Sequence, residues 1–413
     1  MPEPTPNTPK ARRPLLLTGR VLVTDGHWTK TVAAVRALGR AGLHVTVGET
    51  SRLAAAFFSR HAHRRVVYPS PRTRPRRFLA ALERAVRRGD FDVLIPMELQ
   101  TLLLVSVNRD RFLPHVRFPF APDPVLRRAA SKWHAAEAAR RAGLPVPRTR
   151  LLPRGTRDWS LLDDPGLPLV LKPEYGEGGR GLYYCRSEED LGRAFERIEP
   201  TGRTYVAQEW IPPGGDPLGV SLLMGPGGRT HARFTHRRLR EYPPGGGPST
   251  LREVFRHPAA EAAAERLLAE LDFTGVAMVE FKVDPRDGRP VILEVNPRFW
   301  GSLPLAVAAG VNFPVLLYRW AVGLPLPKPP TPRPGLKARC LVPGDLLHLV
   351  AARGRVSRDF WRLRDPDTRC DLLDPEDPAP FFARLLSLAA LPYDPQLKAV
   401  LKRREAPRGK LRP

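Results

Sequence analysis

Two apolar runs late in the chain, 275–284 (GVAMVEFKVD) and 290–296 (PVILEVN), each carry one glutamate in their interior. Joined by PRDG with its Asp-Gly turn signal at 287–288, they read as a β-hairpin. An ionised carboxylate in an apolar strand is costly unless it is paired or holds a cation. A period of two puts Val276, Met278, Glu280 and Lys282 on one face of the first strand. The same period puts Ile292, Glu294 and Asn296 on one face of the second. A turn around Asp287 sets Glu280 opposite Glu294, to within one residue of register. Like charges directly opposed destabilise a sheet, so positive charge belongs between them. Two readings follow. Lys282 or an arginine neutralises each acid separately, or Mg2+ (Mn2+ as a substitute) is shared by Glu280, Glu294 and the Asn296 amide, a set of hard oxygen ligands. The same-face Glu-x-Asn favours the metal. Pro297 lacks an N–H for the ladder and ends the strand, placing Arg298 to meet a phosphoryl oxygen.

A second signal lies upstream. LPLVLKPEYGEGGRG (167–181) ends an apolar strand on Lys172 and continues through Gly176, Gly178, Gly179 and Gly181. Glycines let the backbone approach a ligand closely, and successive N–H groups cradle phosphates beside a lysine point charge. The lysine precedes the glycines and no GK[ST] follows, so this is not a Walker A loop.

The first part of the chain alternates strand and helix. Residues 15–25 and 44–49 read as strands, 29–42 and 78–90 as helices, and 91–97 as a third strand. This predicts a parallel sheet with crossovers, a Rossmann-like domain over 15–125 behind a disordered Pro-rich tail, 1–14. The first turn is TDGHWTK, with no GxGxxG, which argues against a nicotinamide cofactor. Glu98 follows the third strand at the carboxyl end, where such sheets bind ligands, and faces either a substrate or solvent. Further on, 126–142 reads as one helix containing Lys132. Strands follow at 182–185 and 204–211, with a helix starting near Ser187 between them. GVSLLMG and THARFTHRRLREY read as strands of the same sheet, and 258–271 as a helix. A long apolar helix is expected from Leu303, then a Pro-rich linker at 324–335 and a small C-terminal accessory segment, 336–413, with a basic end.

Composition excludes more than it assigns. The 413 residues carry a formal net charge of +25, but only 10 of the basic residues are Lys and the arginines are spread along the chain. That pattern speaks against a dedicated nucleic-acid arm, while the field still draws in anionic nucleotides. The apolar runs fall short of the roughly 20 residues a membrane span needs. Three cysteines show neither zinc spacing nor a disulfide framework, which suits a cytoplasmic setting. No GxSxG or Cys/His arrangement points to a covalent enzyme intermediate.

Taken in order and spacing, VLKPEYGEGGRG, QEWIPPGG, GVAMVEFKVD and LEVNPRFWGS resemble the ATP-grasp superfamily, which includes biotin carboxylase and the large subunit of carbamoyl-phosphate synthetase. More closely, the chain looks like stand-alone carboxylate–amine ligases of that superfamily, over about residues 15–325. The resemblance implies an α/β Rossmann-like domain followed by an α+β two-subdomain ATP-grasp fold over 126–323, with a lid at about 145–212. It implies that Lys132 and Lys172 contact phosphates, and that Glu177, Gly178, Gly179 and Gly181 belong to a loop closing over them. Gln208, Glu209, Trp210 and Ile211 match the adenine hinge, and Asp216 the acid near the ribose. Glu280, Glu294 and Asn296 match the magnesium ligands and Arg298 the arginine at the reacting phosphoryl group. The SKW around Lys132 departs from the more usual Asp-Lys pair. Arg237, Arg238 and Arg252 lie where such ligases hold the acceptor. The implied activity is ATP- and Mg-dependent ligation through an acylphosphate, using small-molecule carboxylate and amine substrates, with a homodimer as one assembly. The alternative is an ATP-binding protein without turnover, acting as a sensor or partner.

Overall fold

The N-terminal sheet is built from β1 (Arg20–Val23), β2 (His44–Glu49), β3 (Ala62–Val67) and β4 (Val93–Ile95), crossed by α1 (Thr29–Arg40) and α2 (Pro75–Gly89) and followed by α3 (Leu99–Val107). The computed structural model describes residues 16–155, 162, 164–176, 181–243, 246–362 and 365–389. The strand order is β3-β2-β1-β4, all parallel. Strands β1, β2 and β4 are buried almost throughout, as parallel strands covered on both faces are, and that makes them continuous apolar runs in the sequence. Strand β3 escapes that reading. It is an edge strand with His63, Arg64 and Arg65 exposed, and charge on an edge discourages further pairing. The order reverses between β1 and β4, so the ligand crevice of such a sheet lies outside the carboxyl ends of those two strands.

The helix expected over 126–142 is two helices, α4 (Asp123–Ala130) and α5 (Lys132–Arg141). Ser131 breaks them with extended dihedrals (φ −76°, ψ 121°), and its Oγ accepts from the His134 N–H at 3.2 Å as the N-cap of α5. The break makes Lys132 the first residue of a helix instead of one in the middle.

A smaller antiparallel sheet follows: β5 (Thr149–Leu152), β6 (Leu169–Pro173), β7 (Tyr183–Cys185) and β8 (Tyr205–Glu209), in the order β5-β8-β6-β7. It packs α6 (Glu188–Ile198) over a small core of its own that includes Leu169, Leu171, Leu191 and Ala207.

The largest sheet contains β9 (Pro217–Met224), β10 (Thr230–Glu241), β11 (Ser249–Val254), β12 (Gly275–Val283), β13 (Pro290–Asn296), β14 (Lys337–Arg339) and β15 (Thr368–Cys370), ordered β13-β12-β9-β10-β11-β14-β15. Strands β9 and β10 therefore share a sheet with each other and not with β8. Helix α7 (Pro258–Glu270) lies between β11 and β12 in the chain. The single helix expected from Leu303 is α8 (Leu303–Ala308) and α9 (Phe313–Ala321). Gly310 between them sits at φ +89°, and Asn312 caps α9 by accepting from Val315 N–H at 3.3 Å.

Residues 336–389 do not stand apart as an accessory module. Strands β14 and β15 extend the large sheet, with α10 (Leu346–Ala351) between them. Beyond β15 the chain runs as a strap to the N-terminal domain, and the last described element is α11 (Ala379–Ala389). Asp371 pairs with Arg252 of β11. Asp377 accepts from Arg36 Nε at 2.9 Å, Ser59 Oγ at 2.7 Å and the Arg60 N–H at 2.8 Å. Arg384, buried, donates to the His27 carbonyl just after β1. The main core runs without interruption from the N-terminal sheet into the large one.

Candidate active site

Glu280 of β12 stands directly opposite Glu294 of β13. The pairing shifts by one immediately afterwards, with Phe281 opposite Ile292, a β-bulge that leaves Leu293 extra. The bulge corrects one expectation: Ile292 turns away from Glu294 and joins Phe281 in the apolar core. Without that bulge, a strict period of two would bury Glu294 and its neighbours together with Ile292.

Between the carboxylates lies the Asn296 amide, whose Nδ2 donates to Glu280 Oε1 at 3.0 Å and to Glu294 Oε1 at 3.4 Å. Each acid also has its own cation. Arg238 of β10 donates to Glu280 Oε2, and Lys132 Nζ is 3.3 Å from Glu294 Oε2. Lys282, the other candidate, turns to the Ile211 carbonyl at 3.1 Å instead. Burial and the charge of Glu294 push Glu280 above the usual carboxylate range despite Arg238. Burial acts on Glu294 as well, but Lys132 and Lys172 outweigh it and hold that acid below the range. The two carboxylates are thus tuned apart.

Lys132 also donates to the Gly176 carbonyl at 3.1 Å, which ties α5 to the start of the glycine-rich loop. Lys172, at the end of β6, donates to Gln208 Oε1 at 2.5 Å, and burial pushes it down to about 8. Gln208 is buried and its Nε2 donates to Thr149 Oγ1 at 3.1 Å, so its side chain orients Lys172. Of the glycine-loop residues, Gly176 and Gly181 are described, Gly181 at φ +70°; Glu177, Gly178 and Gly179 lie outside the described residues.

Other expected site residues are engaged in different ways. Glu209 pairs with Arg286 at 2.9 Å and Arg148 at 3.4 Å. The Trp210 ring stacks near Arg186 at 5.0 Å, and Ile211 is buried. Asp216 pairs with Arg237 at 3.1 Å, and Arg237 also holds Glu253. Successive strand residues alternate faces, so Arg237 points away from the face that carries Arg238. Arg252 does not reach the carboxylates either: it is 1% exposed and its guanidinium is taken by Asp371. Of the three candidate arginines, only Arg238 joins the site. Glu98 faces Lys30 Nζ at 2.5 Å and not solvent.

Two residues beside the site carried no sequence signal. Gly219 of β9 is paired with Glu280 on one side and His236 on the other. A Cβ there would sit 2.2 Å from His236 Cε1, so glycine leaves the room that the imidazole occupies. Burial, with Arg238 and Arg252 nearby, pushes His236 down to about 3, leaving it neutral.

Comparison with known proteins bears on this arrangement. Residues 229–341 match the family model described as ATP-grasp in the biosynthetic pathway with Ter operon. Biotin carboxylase from Campylobacter jejuni, solved as a β-γ-ATP complex, superposes with a TM-score of 0.64 at 16% identity, covering 77% of this chain and 74% of that one. An N5-carboxyaminoimidazole ribonucleotide synthetase solved with ADP superposes with a TM-score of 0.63 at 19% identity, covering 78% and 82%. The chain has the ATP-grasp fold. Urea amidolyase from Lachancea kluyveri is 27% identical over 195 residues, 44% of this chain but 10% of that enzyme, so the chain spans only a fraction of the length of the curated relatives it matches.

The chain just after β1 reaches the chain just after β13. Lys30, from the first turn of α1, donates to the Phe299 carbonyl at 3.2 Å. Phe299 and Trp300 are buried, Trp300 edge-on to Phe313 at 4.9 Å; they pack the helix start and do not wall a pocket. Among the described residues no helix is long and apolar enough to cross a membrane.

Proposed function

We propose that this chain is an ATP- and Mg-dependent carboxylate–amine ligase that forms an acylphosphate and releases ADP and phosphate. The observation that carries the reading is Glu280 opposite Glu294 with Asn296 between them, ringed by Lys132, Arg238 and Arg298. Two carboxylates and an amide oxygen on one face fit a hard divalent cation. Glu280, Glu294 and the Asn296 Oδ1 would hold it, and when bound it supplies charge neutralisation for the phosphates of ATP.

The chain's own residues do the rest. Lys132 and Lys172 bind phosphate oxygens, and Gln208 keeps Lys172 on target. The hinge from Gln208 to Ile211 offers its backbone to adenine, and Asp216 would take the ribose hydroxyls by exchanging its Arg237 partner. An oxygen of the substrate carboxylate attacks the γ-phosphorus as the bond to the β–γ bridging oxygen breaks and ADP departs. Arg298, fixed by its neighbours, meets the charge on the transferring group. The acceptor nitrogen then attacks the acyl carbon, the bond from that carbon to the phosphate oxygen breaks, phosphate leaves with the bonding pair, and the nitrogen gives up a proton to water. Arg238 is the arginine placed to receive a substrate carboxylate, and Glu98 lies in the crevice where the acceptor enters. A cytoplasmic setting and small-molecule partners accompany this reading, with a homodimer as one assembly.

ADP release from Mg-ATP in the presence of a panel of amino acids and small carboxylates tests the proposal. Amide product with stoichiometric ADP is expected. Tight ATP binding without ADP release under every substrate pair would favour the non-turnover alternative instead.

A further inference from the structure

We propose that Lys30 is a positioning residue that sets the Arg298 guanidinium through the carbonyl of Phe299; this rests on the reading of Arg298 as the arginine of the phosphoryl centre. Two of the contacts of Arg298 define its orientation. Its Nη1 donates to the Phe299 carbonyl at 2.6 Å, and its Nη2 to Asn296 Oδ1 at 3.2 Å. The second acceptor belongs to the oxygen set that would hold the metal. The first is also the acceptor of Lys30 Nζ, at 3.2 Å, from a residue 269 positions earlier in the chain.

Two cations on one carbonyl repel each other, and such a contact persists only with compensating negative charge. Glu98 provides it, 2.5 Å from Lys30, and the Lys30 side chain is 5% exposed. Lys30 follows β1 and Glu98 follows β4, the two strand ends that flank the reversal of strand order. The N-terminal domain thus extends a charged pair from its ligand crevice onto the backbone that holds Arg298. Glu98 acquires a role through this contact: it is the counter-ion that keeps a buried ammonium in place. Without Lys30 the Phe299 peptide loses this anchor in the first domain, and the carbonyl that Arg298 Nη1 donates to is free to shift.

The test is calorimetric titration of the full chain with Mg-ADP and with the magnesium complex of a non-hydrolysable ATP analogue. The ratio of the two affinities reports contact with the γ-phosphate. Lys30→Met should reduce the preference for the triphosphate about tenfold, the effect of losing one hydrogen bond that orients a charged group. Arg298→Lys should do the same, and the double variant should lose little more than either alone. Lys30→Arg should restore most of the preference, which a role in folding alone does not predict. If Lys30→Met does not fold, Glu98→Gln carries the test and should shift the ratio in the same direction. A wild-type ratio in a folded Lys30→Met or Glu98→Gln, alongside a lost one in Arg298→Lys, overturns the positioning role and leaves the ligase reading intact. A wild-type chain that binds neither nucleotide overturns both.

Discussion

Arg238 and Arg252 are direct partners across β10 and β11, on the same face of one sheet, and each holds a carboxylate. They nonetheless belong to two different regions. Arg238 pairs with Glu280 in the hairpin site, where the two side chains keep 16% and 17% of their exposure. Arg252 pairs with Asp371 of the strap, at 1% and 3%. The hairpin network is open on one side and rich in alternative partners: Glu280 has Arg238 and Asn296, Glu294 has Lys132 and Asn296. An incoming anion or cation can exchange with these groups at modest desolvation cost. The strap network is sealed, and its charges have nowhere else to go. A buried pair adds little net stability, but removing one partner leaves an uncompensated charge and is strongly destabilising. Arginine in one region is open to an incoming group, and directly opposite on the neighbouring strand it is architecture.

That contrast breaks most sharply at Glu294. Glu294→Gln should cut ligase turnover by roughly 10²- to 10³-fold, the scale of removing one electrostatic group from a reacting centre. Its melting temperature should fall, because Lys132 and Lys172, which hold the Glu294 carboxylate ionised, lose their counter-charge. Full activity in this variant would dismiss the metal and phosphoryl assignment. On the strap side, Arg252→Met should lower unfolding free energy by about 3–5 kcal/mol in urea titrations. Nucleotide affinity per folded molecule should be kept. Arg238→Met should reverse the pattern, with a stability loss of only about 1–3 kcal/mol, set by the hydrogen bond left unmade at Glu280, and a clear fall in turnover. Equal losses in the two variants would erase the distinction between the regions.

A pH titration sharpens the site further. Burial depresses Lys172 to about 8, so its ammonium is intact below that pH and is lost as pH rises through it. Affinity for Mg-ATP should accordingly hold up to about pH 8 and then fall, by at most about tenfold per pH unit. Lys172→Arg should flatten that decline if the lysine is the titrating group; calorimetry at pH 7, 8 and 9 decides it. The smallest effect belongs to the exposed rim: Arg286→Ala removes a half-exposed partner of Glu209 and should change stability by about 0–1 kcal/mol.

The sequence was most informative where forces act over a few residues. Alternation in 275–284 and 290–296 and the Asp-Gly turn placed Glu280 opposite Glu294, and the structure has that register. The buried parallel strands β1, β2 and β4 were visible as apolar runs. Reading stopped short where one residue changed the geometry. Ser131 caps a new helix only because its side chain meets the His134 N–H, and the bulge at Leu293 moves Ile292 across the sheet. Strand β3 had no apolar pattern to show, because an edge strand needs charge more than burial.

Sequence by itself determined the candidate set: glutamates in apolar strands, an amide two residues on, a lysine leading into glycines. Those signals are strong because burying an unpaired carboxylate is expensive enough to require a reason. Tertiary structure alone decided which of many equivalent arginines meets which acid. It sent Arg238 to Glu280, Arg252 to Asp371 and Arg36 to Asp377, and it carried Lys30 across 269 positions to the carbonyl that Arg298 shares. In a chain this rich in arginine, chemistry does not distinguish one guanidinium from the next. Only the packing that brings a given pair within 3 Å and closes solvent out can choose between them.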